Sequence, residues 1–201
     1  MKKIKTLILT CTLPLVFAAC SKDNDTNSNP IDNLKQAAKE TELQGKTFQG
    51  ECSLRPLDAI ATGIATAGET AIKSAREQFL FEGANLSHST IVYTSTDCSG
   101  PEALVYQENG SFEIHDDQKT ADDAKAMDIK YEALTVKTVS NDGVTVANAV
   151  KLCGVEEWST NMEQNVTAKS EDTNCYRVKV PNQDANIYKL ENGTLFFGIK
   201  A

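Results

Sequence analysis

The feature that most constrains this chain is the strand-period alternation of its second half. In "AMDIKYEALTVKTV", Met127, Ile129 and Tyr131 alternate with polar residues, and Leu134 and Val136 then continue one place out of phase. A bulge near Glu132-Ala133 restores a single apolar face, because one extra residue in a strand shifts the side-chain phase by one. "EQFLFEG" and "STIVYTST" are rich in β-branched and aromatic residues, which suit a pleated, half-buried surface. "ALVYQENGSFEI" and "IYKLENGTLFFGI" each set an Asn-Gly pair, Asn109-Gly110 and Asn192-Gly193, between two such runs. That is the short-range signature of a hairpin turn, and Asp142-Gly143 is a third candidate. "CYRVKV" alternates with Tyr176, Val178 and Val180 on one side and predicts a further strand. Half-buried strands joined by tight turns make the chain mainly β, an antiparallel meander folded as a sandwich or closed into a single barrel.

Four segments depart from this pattern. "NPIDNLKQAAKETELQG" predicts a short helix over 31–44, with Pro30 suited to a first turn and Gly45 just past the end. "PLDAIATGIATAGETAIKSA" spaces Leu57, Ile60, Ile64 and Ala67 for a helix that Gly63 and Gly68 weaken, so a partly helical insertion is expected. "DDQKTADDAKA" reads as a solvated loop, and "VTVANAVKLC" suits a strand or a short helix equally.

The N-terminus has a different character. Lys2, Lys3 and Lys5 precede an apolar run from Thr6 to Phe17, the layout of a secretory signal. The run is shorter than the roughly 20 residues that span a bilayer. Phe17-Ala18-Ala19-Cys20 resembles the bacterial lipobox. In such signals the peptide is cut before the cysteine, whose thiol receives a diacylglycerol and whose new amine is acylated. Ser21 to Asn29 is wholly polar and reads as a flexible tether. Several acyl chains on Cys20 suffice for anchoring, since each buried CH₂ contributes about 0.8 kcal/mol. By resemblance to the bacterial sorting pattern, Ser21 favours the outer membrane of the cell envelope. The expected division is a leader over 1–19, the lipidated cysteine and tether over 20–30, the helix over 31–44 and one domain over 45–201.

Loss of Lys2, Lys3 and Lys5 with the leader takes the formal charge from −8 to −11. An acidic chain without a Lys/Arg cluster is a poor partner for nucleic acid. Of six cysteines, Cys11 leaves with the leader and Cys20 carries lipid, which leaves Cys52, Cys98, Cys153 and Cys175. An even number in an exported chain reads as disulfides. Of the three connectivities, the sequential one, Cys52–Cys98 and Cys153–Cys175, is expected. A metal centre is not: no C-x₂-C pair exists, and His88 and His115 lack ligand-spaced partners.

Little in the chain points to catalysis. No G-x-S-x-G elbow is present. His88, in "LSHST", reads as lying between strands, and His115, in "FEIHDD", as ending one. Neighbours on a strand point to opposite faces, so His115 and Asp116 do not meet. Glu156-Glu157 and Asp122-Asp123 read as solvated charge, and no calcium-loop spacing occurs. No catalytic residue, metal or cofactor is expected.

"LQGKTFQGECSLRP" followed by "FLFEGANLSHSTIVYTSTDCSGP" resembles the APCDD domain, an extracellular lipocalin-like (calycin-like) β-barrel of Wnt inhibitors with relatives among bacterial exported proteins. The matching positions are Leu43, Gly45, Cys52, Arg55, Tyr93, Cys98 and Pro101, then Cys153, Gly154, Trp158, Cys175 and Gly198. The family places a Trp two residues after the glycine; this chain has Thr47 there, with Phe48 beside it. The resemblance implies a calyx able to take a lipid or another apolar small molecule. The aromatic residues that would line it are Phe79, Phe81, Tyr93, Tyr106, Trp158 and Phe197. A structural or adhesive role of the outer surface is the alternative expectation.

Overall fold

The structure is a computed structural model that describes residues 9–11, 42–54, 72–120, 122–176 and 178–199. Cys20, the tether, residues 31–41 of the expected helix, Arg55 and residues 56–71 of the Ala-rich insertion lie outside the described residues. Residues 42–44 of that helix form a turn together with Gly45.

The strands are β1 (Leu9–Cys11), β2 (Lys46–Gly50), β3 (Ser53–Leu54), β4 (Ser74–Glu82), β5 (Asn85–Tyr93), β6 (Glu102–Lys119) and β7 (Lys125–Thr138). After helix α1 (Asn141–Ala149) come β8 (Glu163–Asn165), β9 (Asn182–Glu191) and β10 (Thr194–Ile199). Strands β2, β4, β5, β6, β7, β9 and β10 follow one another in a nearly closed antiparallel barrel of seven strands. The three residues of β1 occupy the gap, antiparallel to β2 on one side and β10 on the other. They come from the apolar run that the sequence assigns to the leader.

One face of the sheet fills the interior. Phe48, Phe81, Leu86, Leu104, Met127, Leu134, Val136 and Leu195 are fully buried in one contiguous core. Burial of each such side chain contributes about 1.5–3 kcal/mol, the main term holding the barrel together. The Phe48 ring packs edge-on against Phe81 at 5.9 Å, and Phe112 meets Phe81 at 5.1 Å.

Two Asn-Gly pairs with the same turn signature have different fates. Asn192 and Gly193 join β9 to β10 with φ of 52° and 79°, the left-handed pair that a two-residue hairpin requires. Asn109-Gly110 lies instead inside β6, which is paired with β5 and β7 at once. The glycine is needed there for proximity rather than for a turn. A Cβ on Gly110 would stand 1.9 Å from the Lys130 carbonyl oxygen. That approach is the expected bulge: Asn109 pairs with Ala133 and Gly110 with Tyr131, which leaves Glu132 without an opposite number.

Asp142-Gly143 is also no turn. It forms the first turn of α1, where the Ser140 hydroxyl accepts from the Gly143 N–H at 3.3 Å. The ambiguous "VTVANAVKLC" is therefore helical as far as Ala149. β6 runs on to Lys119, so the expected acidic loop is strand over Asp116–Lys119. The described residues of "CYRVKV" form no strand. Cys175 is bonded to Cys153, and the Ser170 hydroxyl engages both the N–H and the carbonyl of Val180. With those backbone groups taken by a side chain, Tyr176 and Val180 enter the core from a loop. Both sequential disulfides are present: Cys52–Cys98 ties the β3 side to the end of β5, and Cys153–Cys175 ties the segment after α1.

Candidate binding site inside the barrel

Strand register decides which side chains share the interior. Directly opposed residues of an antiparallel pair lie on one face. Phe79 of β4 opposes His88 of β5, and His88 opposes Glu108 of β6; one step along, Glu77 opposes Thr90 and Thr90 opposes Tyr106. His88 is therefore mid-strand, not between strands, and it faces inward with Leu86 and Val92.

Two of these, His88 and Glu108, converge with Tyr176. His88 Nδ1 lies 2.8 Å from Glu108 Oε2, and the Tyr176 hydroxyl donates to the same oxygen at 3.0 Å. The His88 and Glu108 side chains are only 12% and 6% exposed. The imidazole stacks on Phe79 with centroids 4.2 Å apart and planes within 8°, and Tyr106 stacks on Tyr176 at 5.4 Å. Glu108 Oε2 thus has two hydrogen-bonding neighbours within apolar walls, and a buried polar group without such partners is costly. Burial, reinforced by the Glu108 carboxylate, pushes the Tyr176 phenol well above its ordinary range. Burial and then Glu108 do the same to Tyr131, and burial alone to Tyr106.

Two buried polar atoms of the cluster have no hydrogen-bond partner among the described residues: His88 Nε2 and the Tyr106 hydroxyl. Such orphans are rare in folded proteins and call for a physical reason. A His–carboxylate pair is also half of a general-base device. A nucleophilic hydroxyl or thiol hydrogen-bonded to Nε2 would complete it, and none of the described residues provides one. Nor does any group of three His, Cys, Asp or Glu among the described residues have the placement to hold a metal ion.

Of the six aromatic residues expected to line a pocket, Phe79, Phe81 and Tyr106 project into the core, and Phe197 packs beside Phe79 with centroids 4.9 Å apart. Trp158 belongs to the same core but enters it from the segment after α1, where its Nε1–H donates to the Leu152 carbonyl at 3.2 Å. Asn148 clamps its backbone at both ends, accepting from the Trp158 N–H and donating to its carbonyl. Tyr93 is separate. It packs with Ile91 against the Cys52–Cys98 disulfide in a second cluster, on the face opposite His88. A groove of about 330 Å³ also lies on the outer face, lined by side chains such as Gln78, Ser89, Gln107, Thr135 and Lys137, and includes none of the six.

The cluster was not anticipated from sequence, although a signal existed: Leu86, His88, Thr90 and Val92 keep one phase, as do Leu104, Tyr106 and Glu108. A histidine and a carboxylate each stand at an apolar-phase position. The fold and the interior define a small antiparallel β-barrel with a polar cluster set into its core. No family model matches the sequence, and no curated protein matches it.

Proposed function

We propose that this protein is a bacterial envelope lipoprotein, held at the outer membrane through acylated Cys20 and the polar tether, whose barrel binds an apolar or amphipathic small molecule without transforming it. The observation that carries this reading is the pair of orphaned polar atoms, His88 Nε2 and the Tyr106 hydroxyl, set among aromatic walls. An apolar body with one polar end matches such a surface, as small-molecule sites combine apolar lining with a few placed polar groups. The lipobox-like Phe17–Cys20 supports the anchor.

Native mass spectrometry of the protein extracted from its membrane tests both halves. A mass of residues 20–201 plus acyl chains supports the anchor. A further lipid-sized adduct that is lost on denaturation supports the barrel reading. An unmodified Cys20 overturns the anchor, and a protein that takes up no added lipid or long-chain alcohol overturns the ligand.

A second reading, an interaction protein acting through its outer surface, draws on the groove of about 330 Å³ on the outer face. Against an adhesive apolar patch, Leu54 is the large hydrophobic exposed among the described residues, at 65%. Isolated exposed apolar residues are ordinary; a contiguous patch marks an interface.

A further inference from the structure

We infer that the groove on the outer face of the barrel binds a neutral saccharide, laid across strands β4 to β8. This inference rests on the outer-surface reading above, gives it a ligand chemistry and requires nothing of the barrel interior.

Strand register builds the groove. Gln78 opposes Ser89, Ser89 opposes Gln107 and Gln107 opposes Thr135, so four neutral hydrogen-bonding side chains form one row across β4, β5, β6 and β7. Ser89 is out of phase with the inward His88 and Thr90, which puts the row outside. The next row on that face is Ile91, Val105, Lys137 and Glu163. Both rows line the groove, whose volume of about 330 Å³ is near the small end of ligand sites. Parts of it are fixed in advance. Gln107 Nε2 donates to Asn109 Oδ1 at 2.9 Å and to Ser87 Oγ at 3.3 Å, which holds its carboxamide in place. Ile91 and Val105 pack in the small cluster around the Cys52–Cys98 disulfide and give the groove an apolar floor. Groups held in place beforehand lose less entropy on binding.

The side chains of Gln78, Ser89 and Thr135 have no hydrogen-bond partner among the described residues. Each can donate and accept and none titrates, so the choice of ligand does not turn on a protonation state. A hydrocarbon would strip water from these groups and return nothing. A phosphate or carboxylate would meet Glu102 and Glu163 with Lys137 as the one cation in the lining; Arg76 continues the row beyond the groove. An extended peptide binds by adding to a free sheet edge, and here the backbones of β5, β6 and β7 are already paired on both sides. A sugar hydroxyl donates and accepts, as the row does. The C–H face of a pyranose ring suits the floor of Ile91 and Val105, and site architecture of this kind combines apolar lining with a few placed polar groups.

The experiment uses the full ¹⁵N-labelled chain in lipid nanodiscs, titrated with cellobiose, maltose, lactose and diacetylchitobiose. Glucuronate and triglycine are the comparators, and buffer is the blank. At least one disaccharide should shift the Ser89, Gln107 and Thr135 amide signals with a Kd of about 1 mM or below. The indole signal of Trp158, the one tryptophan of the chain, lies in the core and should stay in place. Thr135→Val and Gln78→Met keep size and remove the hydrogen-bonding groups. Each should weaken that binding about tenfold, the loss of roughly one hydrogen bond, with the β-sheet circular dichroism signal unchanged. If both variants bind the sugar as the parent chain does, the groove is not its site and the inference falls. If triglycine or glucuronate shifts the same amides as strongly as the disaccharides, the saccharide class falls and the outer-surface reading stands. If none of the probes shifts them beyond the blank, the inference falls and the outer-surface reading loses the groove as its support.

Discussion

His88 and His115 each meet a carboxylate on the neighbouring strand, yet the two pairs sit on opposite faces of one sheet. Inside, His88 and Glu108 are 12% and 6% exposed; outside, His115 Nε2 and Asp128 Oδ2 lie 3.0 Å apart with side chains 25% and 39% exposed. The chemistry is the same and the solvent is not. On the outer face water competes for both partners and screens their attraction, so such a pair contributes little. On the inner face nothing replaces a lost partner, and the pair becomes a structural commitment. Burial, not the identity of the pair, makes Glu108 and His88 a site and leaves His115 and Asp128 as surface.

The sharpest way to break that comparison is Glu108→Ala. It removes the partner of His88 Nδ1 and of the Tyr176 hydroxyl together, and should cost about 1–3 kcal/mol by urea unfolding for each buried group left unpaired. A loss below about 1 kcal/mol, the usual ceiling for an exposed pair, would erase the distinction between the two faces. Gly110→Ala comes next, because its Cβ meets the Lys130 carbonyl at the bulge that keeps Tyr131 and Leu134 on the inner face. A cost of about 1–3 kcal/mol is expected. A change near zero would show that the bulge relaxes freely.

Alkaline pH sharpens the contrast from another side. All five tyrosines, Tyr93, Tyr106, Tyr131, Tyr176 and Tyr188, are held above the ordinary phenol range, in each case chiefly by burial. A folded-state value above the unfolded one means that the folded protein keeps protons the unfolded chain has released. Stability is therefore fully present below about pH 10 and falls as pH rises, by roughly 1.4 kcal/mol per pH unit for each tyrosine kept neutral. Phenolate absorbance should appear together with loss of the β-sheet circular dichroism signal. A smooth titration near pH 10 with the sheet intact would contradict the burial. The smallest effect belongs outside: Asp128→Ala should change stability by less than about 1 kcal/mol, and added salt should shrink even that.

Periodicity was the legible part of this fold. The phase break between Tyr131 and Leu134 announced the bulge, because strand phase is a local property of the chain. The hairpin at Asn192-Gly193 was legible for the same reason. Asn109-Gly110 carried the same signature but answered a non-local demand, the approach of the Lys130 carbonyl from the next strand, which no local window contains. "CYRVKV" alternates like a strand, yet the Ser170 hydroxyl and a disulfide claim its backbone and ends from elsewhere in the chain. The His88–Glu108–Tyr176 cluster needed the register of β5 against β6 and the path of a loop 68 residues away from Glu108. The phases of His88 and Glu108 were in the sequence; their meeting was not.

The strand Leu9–Cys11 has a consequence that is a matter of parity. Each neighbour in the ring is antiparallel to the next, so with β1 in place the circuit holds an even number of strands and closes consistently. β2 and β10, both antiparallel to β1, run in the same direction as each other. If residues 1–19 leave with the leader, the ring becomes odd, and the two strands facing across the gap cannot zip together in the antiparallel manner of every other pair. The precursor and the processed protein would then be barrels of different symmetry class, and the seam between Lys46–Gly50 and Thr194–Ile199 would be the one place where the mature wall must find another way to close.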